Sequence, residues 1–101
     1  MLLLLSTFPN DGRKLKSFIL GLIKSGMVKC VSRVNYTKSY YMREGELKKE
    51  EEKVLIIKLP EENKEKVIGY FKKNHPYKIP EMIWIKPDDV NEEYLKRIQN
   101  L

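Results

Sequence analysis

Four leucines, Leu2 to Leu5, run without a polar break near the start of the chain. A short apolar run closed by turn residues, here Pro9-Asn10-Asp11-Gly12, reads as a strand buried on both faces. The period then changes. Leu15, Phe18, Ile19, Leu22 and Ile23 fall at i, i+3, i+4, i+7 and i+8, with Arg13, Lys14, Lys16 and Lys24 off that stripe. This predicts an amphipathic helix. Asn10 or Asp11 can accept its first free N–H groups, and Gly26 can end it in a left-handed conformation. Gly21 in its middle weakens it and points to a close packing contact.

From Met27 to Met42 the chain is rich in β-branched and aromatic residues, which predicts a long strand bent near Asn35–Lys38. Arg43-Glu44-Gly45-Glu46 supplies a turn, and "LKKEEEKVLIIKL" returns as a second long, antiparallel strand. Its outer half is charged and predicted to lie in solvent or against a partner. Its inner half, Val54–Ile57, is apolar on both faces. Pro60 suits the first position of a second helix, with Glu61 and Glu62 at its positive end. Val67, Ile68 and Phe71 form its stripe, and Pro76 ends it near Asn74. "MIWI" predicts a short buried strand. A last helix begins at Asn91, with Leu95 and Ile98 facing inward and Val90 stapled against Leu95. The order β-α-β-β-α-β plus a helix predicts an α+β, ferredoxin-like sandwich with a long central hairpin, as one domain over 1–101.

Many activities share that scaffold, so function has to be read from side chains. Twenty Lys and Arg against 14 Asp and Glu give +6, and charged residues make up 34% of the chain. Lysine and glutamate interleave and glutamine occurs once, a composition that points to a thermophilic source. No specific nucleic-acid recognition is expected, because the central strands lack stacking aromatics and the charge is dispersed. A single cysteine forms no internal disulfide, which favours a cytoplasmic setting. The opening lacks the basic segment and cleavage site of a signal peptide, and no stretch is long enough for a membrane helix. The first turn carries neither the paired cysteines of a soft-metal carrier nor the phosphate loop of an acyl phosphatase. Cys30, within a strand, has no paired histidine to make it a nucleophile.

The residues left over are distinctive. Cys30–Val31 lies early in the first hairpin strand, Ser39–Tyr41 and Glu44–Gly45 mark its end and turn, and Glu50–Lys58 passes from charge to aliphatic residues. H-P-Y-x-x-P-E runs from His75 to Glu81, and an acidic-Tyr-Leu helix start covers Glu92–Leu95. In this order and over almost the whole chain, the sequence resembles the CutA family of divalent-cation tolerance proteins. It departs from that family where a tryptophan usually precedes the Glu-Gly turn: Arg43 stands here, or Met42 if the gap is placed differently.

The resemblance implies a homotrimer whose hairpins reach across to neighbouring subunits, with an architecture like that of the PII signalling proteins. It implies a binding or regulatory role in tolerance of divalent metal ions such as copper, linked to metal ions or an unidentified protein partner, and no catalytic activity. Cys30 and His75, helped by Glu81, are then the best metal ligands, pooled between subunits because each chain has one thiol and one imidazole. Tyr40, Tyr41, Lys58 and Tyr77 are expected at the intersubunit cleft or interface. The alternative is a small-ligand sensor or an orphan enzyme using that cleft. For each residue a plainer reading competes. His75 and its prolines read most simply as a stiff turn, Trp84 as core, and the acidic run as a solvated strand end.

Overall fold

The computed structural model describes residues Met1–Leu101. Strand β1 is Leu2–Pro9, longer than the leucine run, because Ser6, Thr7 and Phe8 continue the extended backbone. It is not buried on both faces: Leu2, Leu4, Ser6 and Phe8 are buried, while Leu3, Leu5 and Thr7 are half-buried. Helix α1, Gly12–Lys24, starts where the Asp11 side chain accepts the Lys14 N–H at 3.1 Å. Beyond its end, Gly26 takes a φ of +80°. At Gly21 a side chain would collide with the Tyr70 hydroxyl, which donates to the Phe18 carbonyl at 2.9 Å. The absent Cβ is what lets the second helix approach.

β2 is Cys30–Arg43 and β3 is Glu46–Leu59, paired antiparallel with a register shift between Val34 and Thr37. β2 begins three residues later than expected. Val28 turns into the core, and Lys29 reaches the ladder only through its N–H to the Lys58 carbonyl at 2.8 Å. Glu44 and Gly45 both have positive φ, as a two-residue hairpin whose strands twist right-handedly requires. The hairpin overhangs the domain and stretches the molecule to 46 × 27 × 24 Å.

A 3-10 turn, Glu61–Asn63, separates Pro60 from helix α2, Lys64–Asn74, so the helix starts later than Pro60 suggests. His75 is extended, as a residue before proline must be. β4 is Ile83–Ile85 and pairs with Leu3–Leu5 at the sheet edge. It is not a buried strand: Ile83 and Ile85 are exposed and Trp84 is half-buried. Helix α3 is Glu92–Gln99, preceded by Asn91, whose side chain makes no capping bond.

The sheet order is β2-β3-β1-β4 with every pair antiparallel, a ferredoxin-like arrangement. The core lies between one sheet face and helices α1 and α2. Leu4, Leu15, Leu22, Leu55, Ile57, Val67 and Phe71 are fully buried there, each worth about 1.5–3 kcal/mol of transfer free energy. The strand period of two forces Leu3, Leu5, Val54, Ile56, Ile83 and Ile85 onto the opposite face. α3 covers only one end of that face, where Tyr94 accepts the Lys58 ammonium at 2.6 Å.

Candidate functional site

Pro76 drives the chain out of helical geometry after Asn74 and turns the His75 ring back into the core, where it is only 7% exposed. Rings of Phe8, Phe18 and Phe71 surround it at centroid distances of 5.0, 5.6 and 5.7 Å. The Tyr77 N–H donates to His75 Nδ1 at 3.0 Å, and Nε2 lies 2.8 Å from the Thr7 carbonyl. A backbone N–H can only donate and a carbonyl can only accept. These partners therefore assign the neutral tautomer with hydrogen on Nε2. Thr7 lies two residues past the last β4 partner of β1, and its carbonyl accepts from the His75 ring there. Burial holds the imidazole below its ordinary proton affinity, against the smaller opposing pull of the Thr7 bond and the Glu52 charge.

Tyr77 continues the site. Its hydroxyl donates to Glu52 Oε2 at 3.0 Å, and its ring packs on His75 at 5.2 Å. Burial, followed by the Glu52 bond and charge and the more distant Glu50, pushes the phenol up to about 12. Glu52 is only 8% exposed, which overturns the reading of the whole acidic run as a solvated strand end. Two residues along the same strand face, Glu50 accepts the Tyr41 hydroxyl at 2.6 Å, a bond that raises the Tyr41 phenol. The Arg43 guanidinium sits 5.4 Å from the Tyr41 ring centroid. A line of phenols and carboxylates thus runs from the α2–β4 loop onto the hairpin arm.

The other expected residues lie elsewhere. Cys30 pairs with Lys58 across the ladder, on the face turned away from α1 and α2. Lys58 bonds Tyr94, a contact that favours its charged form over the opposing cost of burial. Glu81 has an exposed side chain, and its backbone carbonyl accepts the hydroxyl of fully buried Ser6 at 2.7 Å. Tyr40 is exposed on the arm face opposite Tyr41. Cys30, His75 and Glu81 do not converge within the chain, and no three His, Cys, Asp or Glu side chains do. His75 stands at the Thr7 end of β1, Cys30 at the Leu3 end two strands away. With both ring nitrogens bonded inside the chain, His75 has no lone pair to offer a metal. A 340 Å³ cavity lined by Met1, Leu59, Pro60, Leu95 and Ile98 lies at the far end of the sheet from Tyr77.

Sequence reasoning missed Glu52, Glu50 and Ser6. The signal for Glu52 was present: counting back by two from Ile56 and Val54 places it on the same face, beside Pro9 of β1. Nothing local marks Ser6, whose partner is 75 residues away.

Comparisons with known proteins agree with this geometry. The family model described as CutA1 divalent ion tolerance protein matches residues 2–100. The divalent-cation tolerance protein CutA of Pyrococcus horikoshii is 32% identical over 96 residues, covering 95% of this chain and 92% of that protein. Its namesake from Thermotoga maritima is 29% identical over 97 residues, 94% of this chain and 92% of its own length. The crystal structure of Pyrococcus horikoshii CutA1 superposes with a TM-score of 0.88 at 32% identity, covering 99% of this chain and 96% of that one. CutA1 from Oryza sativa gives 0.87 at 29% identity, covering 98% and 90%. With the fold, the hairpin and the His75–Glu81 motif in place along nearly its whole length, the chain belongs to the CutA1 divalent ion tolerance family.

Proposed function

We propose that this protein acts in divalent-ion tolerance as a homotrimeric binding and signalling module, PII-like in architecture and without catalysis of its own. The observation that carries the reading is the apolar sheet face left uncovered by α1 and α2. Val34, Ile56, Ile83 and Ile85 are exposed there, and Leu3, Leu5 and Val54 lie between them half-buried. A continuous apolar face of this kind marks an interaction surface. Three copies that bury these faces against one another also give each overhanging arm a neighbour to lie on, and cover strand edges that would otherwise invite aggregation.

Copper is the ion this reading favours. Of the expected ligands, only Cys30 belongs to the face that the trimer buries, so a soft ion is held between subunits. One thiolate from each chain makes that binding weak. The lone unpaired cysteine suits a cytoplasmic setting. No helix is long and apolar enough to cross a membrane. The dispersed positive charge gives at most salt-sensitive, non-specific attraction to nucleic acid. A second reading, a small-ligand sensor or enzyme working in an intersubunit cleft, draws on the Tyr77–Glu52 and Tyr41–Glu50 pairs.

Native mass spectrometry with and without copper tests the proposal. The expected species is three times the 12.0 kDa chain, with copper uptake that weakens in Cys30→Ser. A single-chain mass at micromolar concentration and neutral pH sinks the trimer. Copper uptake untouched by Cys30→Ser removes Cys30 from the metal role. Turnover of an acyl phosphate would favour the second reading.

A further inference from the structure

We propose that His75 is an acid-sensitive latch on the α2–β4 loop: a second proton on its ring breaks the Tyr77 N–H bond and exchanges the Tyr77–Glu52 contact at the foot of the hairpin arm. The argument is one of hydrogen-bond valence. Nε2–H is committed to the Thr7 carbonyl at 2.8 Å, so an incoming proton has only Nδ1 to occupy. Nδ1 faces the Tyr77 N–H at 3.0 Å. Once protonated, that nitrogen becomes a donor pointed at a donor, and the contact turns from bond to repulsion.

The surroundings decide where the strain goes. β1 presents Thr7 and Phe8 to the ring, α1 presents Phe18 and α2 presents Phe71, none of which ionises near neutral pH. From α2, Tyr70 packs its ring on Phe18, and burial keeps its phenol neutral. Phe71, stacked on the imidazole, offers a cation only its π face. The one anion bearing on His75 is Glu52 of β3, and Tyr77, from the loop itself, already occupies its Oε2. An imidazolium is therefore drawn toward Glu52 and competes with the Tyr77 hydroxyl for it. Both bonds that hold Tyr77, one from its backbone and one from its side chain, are lost or exchanged by the same proton.

What Tyr77 holds is consequential. Six residues beyond it the chain enters β4, a strand of three residues, and Glu81 between them is tied to β1 through Ser6. Loosening the loop loosens the edge that carries Ile83 and Ile85. The latch itself is internal to one chain. Only its effect on assembly rests on the trimeric reading.

His75 is the only histidine, so its ring resonances titrate without ambiguity. The test follows those resonances and the Tyr77 amide by NMR between about pH 7.5 and about pH 5, the range in which an imidazole changes charge. Two results are expected together. His75 titrates below its ordinary 6.5, and the Tyr77 amide reports the same midpoint while its exchange, corrected for intrinsic rate, accelerates about tenfold. Tyr77→Phe keeps the backbone bond but frees Glu52 to meet the cation, so the His75 midpoint should rise in that variant. A Tyr77 amide indifferent to His75 titration overturns the latch. So does a midpoint at or above 6.5 in the wild type, or one that Tyr77→Phe leaves in place. Mass measured on the same samples separates this outcome from failure of the trimer, because the latch titrates in a single chain as well.

Discussion

On one side of the sheet Leu4, Leu55 and Ile57 have no exposed surface; on the other, Ile56, Ile83 and Ile85 keep 37%, 47% and 43% of theirs. The residue types are the same, and in β3 they are adjacent in sequence. What differs is the cover. α1 and α2 lie over the first face, whereas α3 reaches only the end of the second. The first face therefore belongs to the stability of the chain, and the second is the one that the trimer proposed above would bury. The hairpin arm extends the contrast. Near its foot Glu52 is buried and bonded to Tyr77, while farther out Tyr40, Met42 and Leu47 stand in water.

The sharpest test of this division is a substitution on the covered face. Phe71→Ala removes a fully buried ring that touches Phe18 and His75. It should cost about 3–5 kcal/mol of unfolding free energy, measured by denaturant titration at fixed protein concentration. A loss under 1 kcal/mol would mean that α2 contributes little to the core. Ile56→Glu addresses the other face. It should reduce the measured mass toward a single chain, with an association penalty of about 1.5–3 kcal/mol per subunit from the lost apolar contact alone. The helical circular dichroism should stay intact. If the mass is unchanged, the uncovered face is not the interface.

At the foot of the arm lies the Tyr77–Glu52 bond. Tyr77→Phe should cost about 1.5–3 kcal/mol, the range for a hydrogen bond to a charged partner left buried. Its pH dependence sharpens the assignment. The folded phenol is raised to about 12 while the unfolded one ionises near 10. Stability is thus fully present below 10 and is lost as pH rises through about 12. That alkaline limb should shrink in the phenylalanine variant. His75 acts with the opposite sign. Its folded affinity for protons is depressed, so stability is full above 6.5 and falls as acid approaches the folded value.

The smallest effect is expected at the arm tip, outside both packed regions. Glu44 holds a φ of +52° that a β-turn of this type prefers to give asparagine or glycine. Glu44→Asn should raise thermal stability slightly, by about 0.5 kcal/mol, with no change in mass. A loss of stability would show that the Glu44 side chain itself holds the turn.

Much of this was legible in the chain itself. The switch from a period of 3.6 in Leu15–Ile23 to a period of two after Met27 reports local geometry, which each residue imposes on its neighbours. Pro76 and Gly26 stop helices for equally local reasons, and the ordered motifs from Cys30 to Leu95, the His75–Glu81 run among them, carry the family resemblance. The missed features were all long-range. Whether a leucine strand is buried on one face or two depends on how far α1, α2 and α3 reach. Ser6 needed Glu81, and His75 needed Thr7 and Tyr77 to fix its tautomer and withdraw it from metal binding. Glu52 reads as one of three solvent-facing acids until folding sets a phenol beside it. Sequence alone determined the elements, their order and the family, because backbone sterics and hydrophobic period act over a few residues. Tertiary structure decided which polar groups are buried and which apolar face stays open, because desolvation depends on neighbours that only the folded chain brings together.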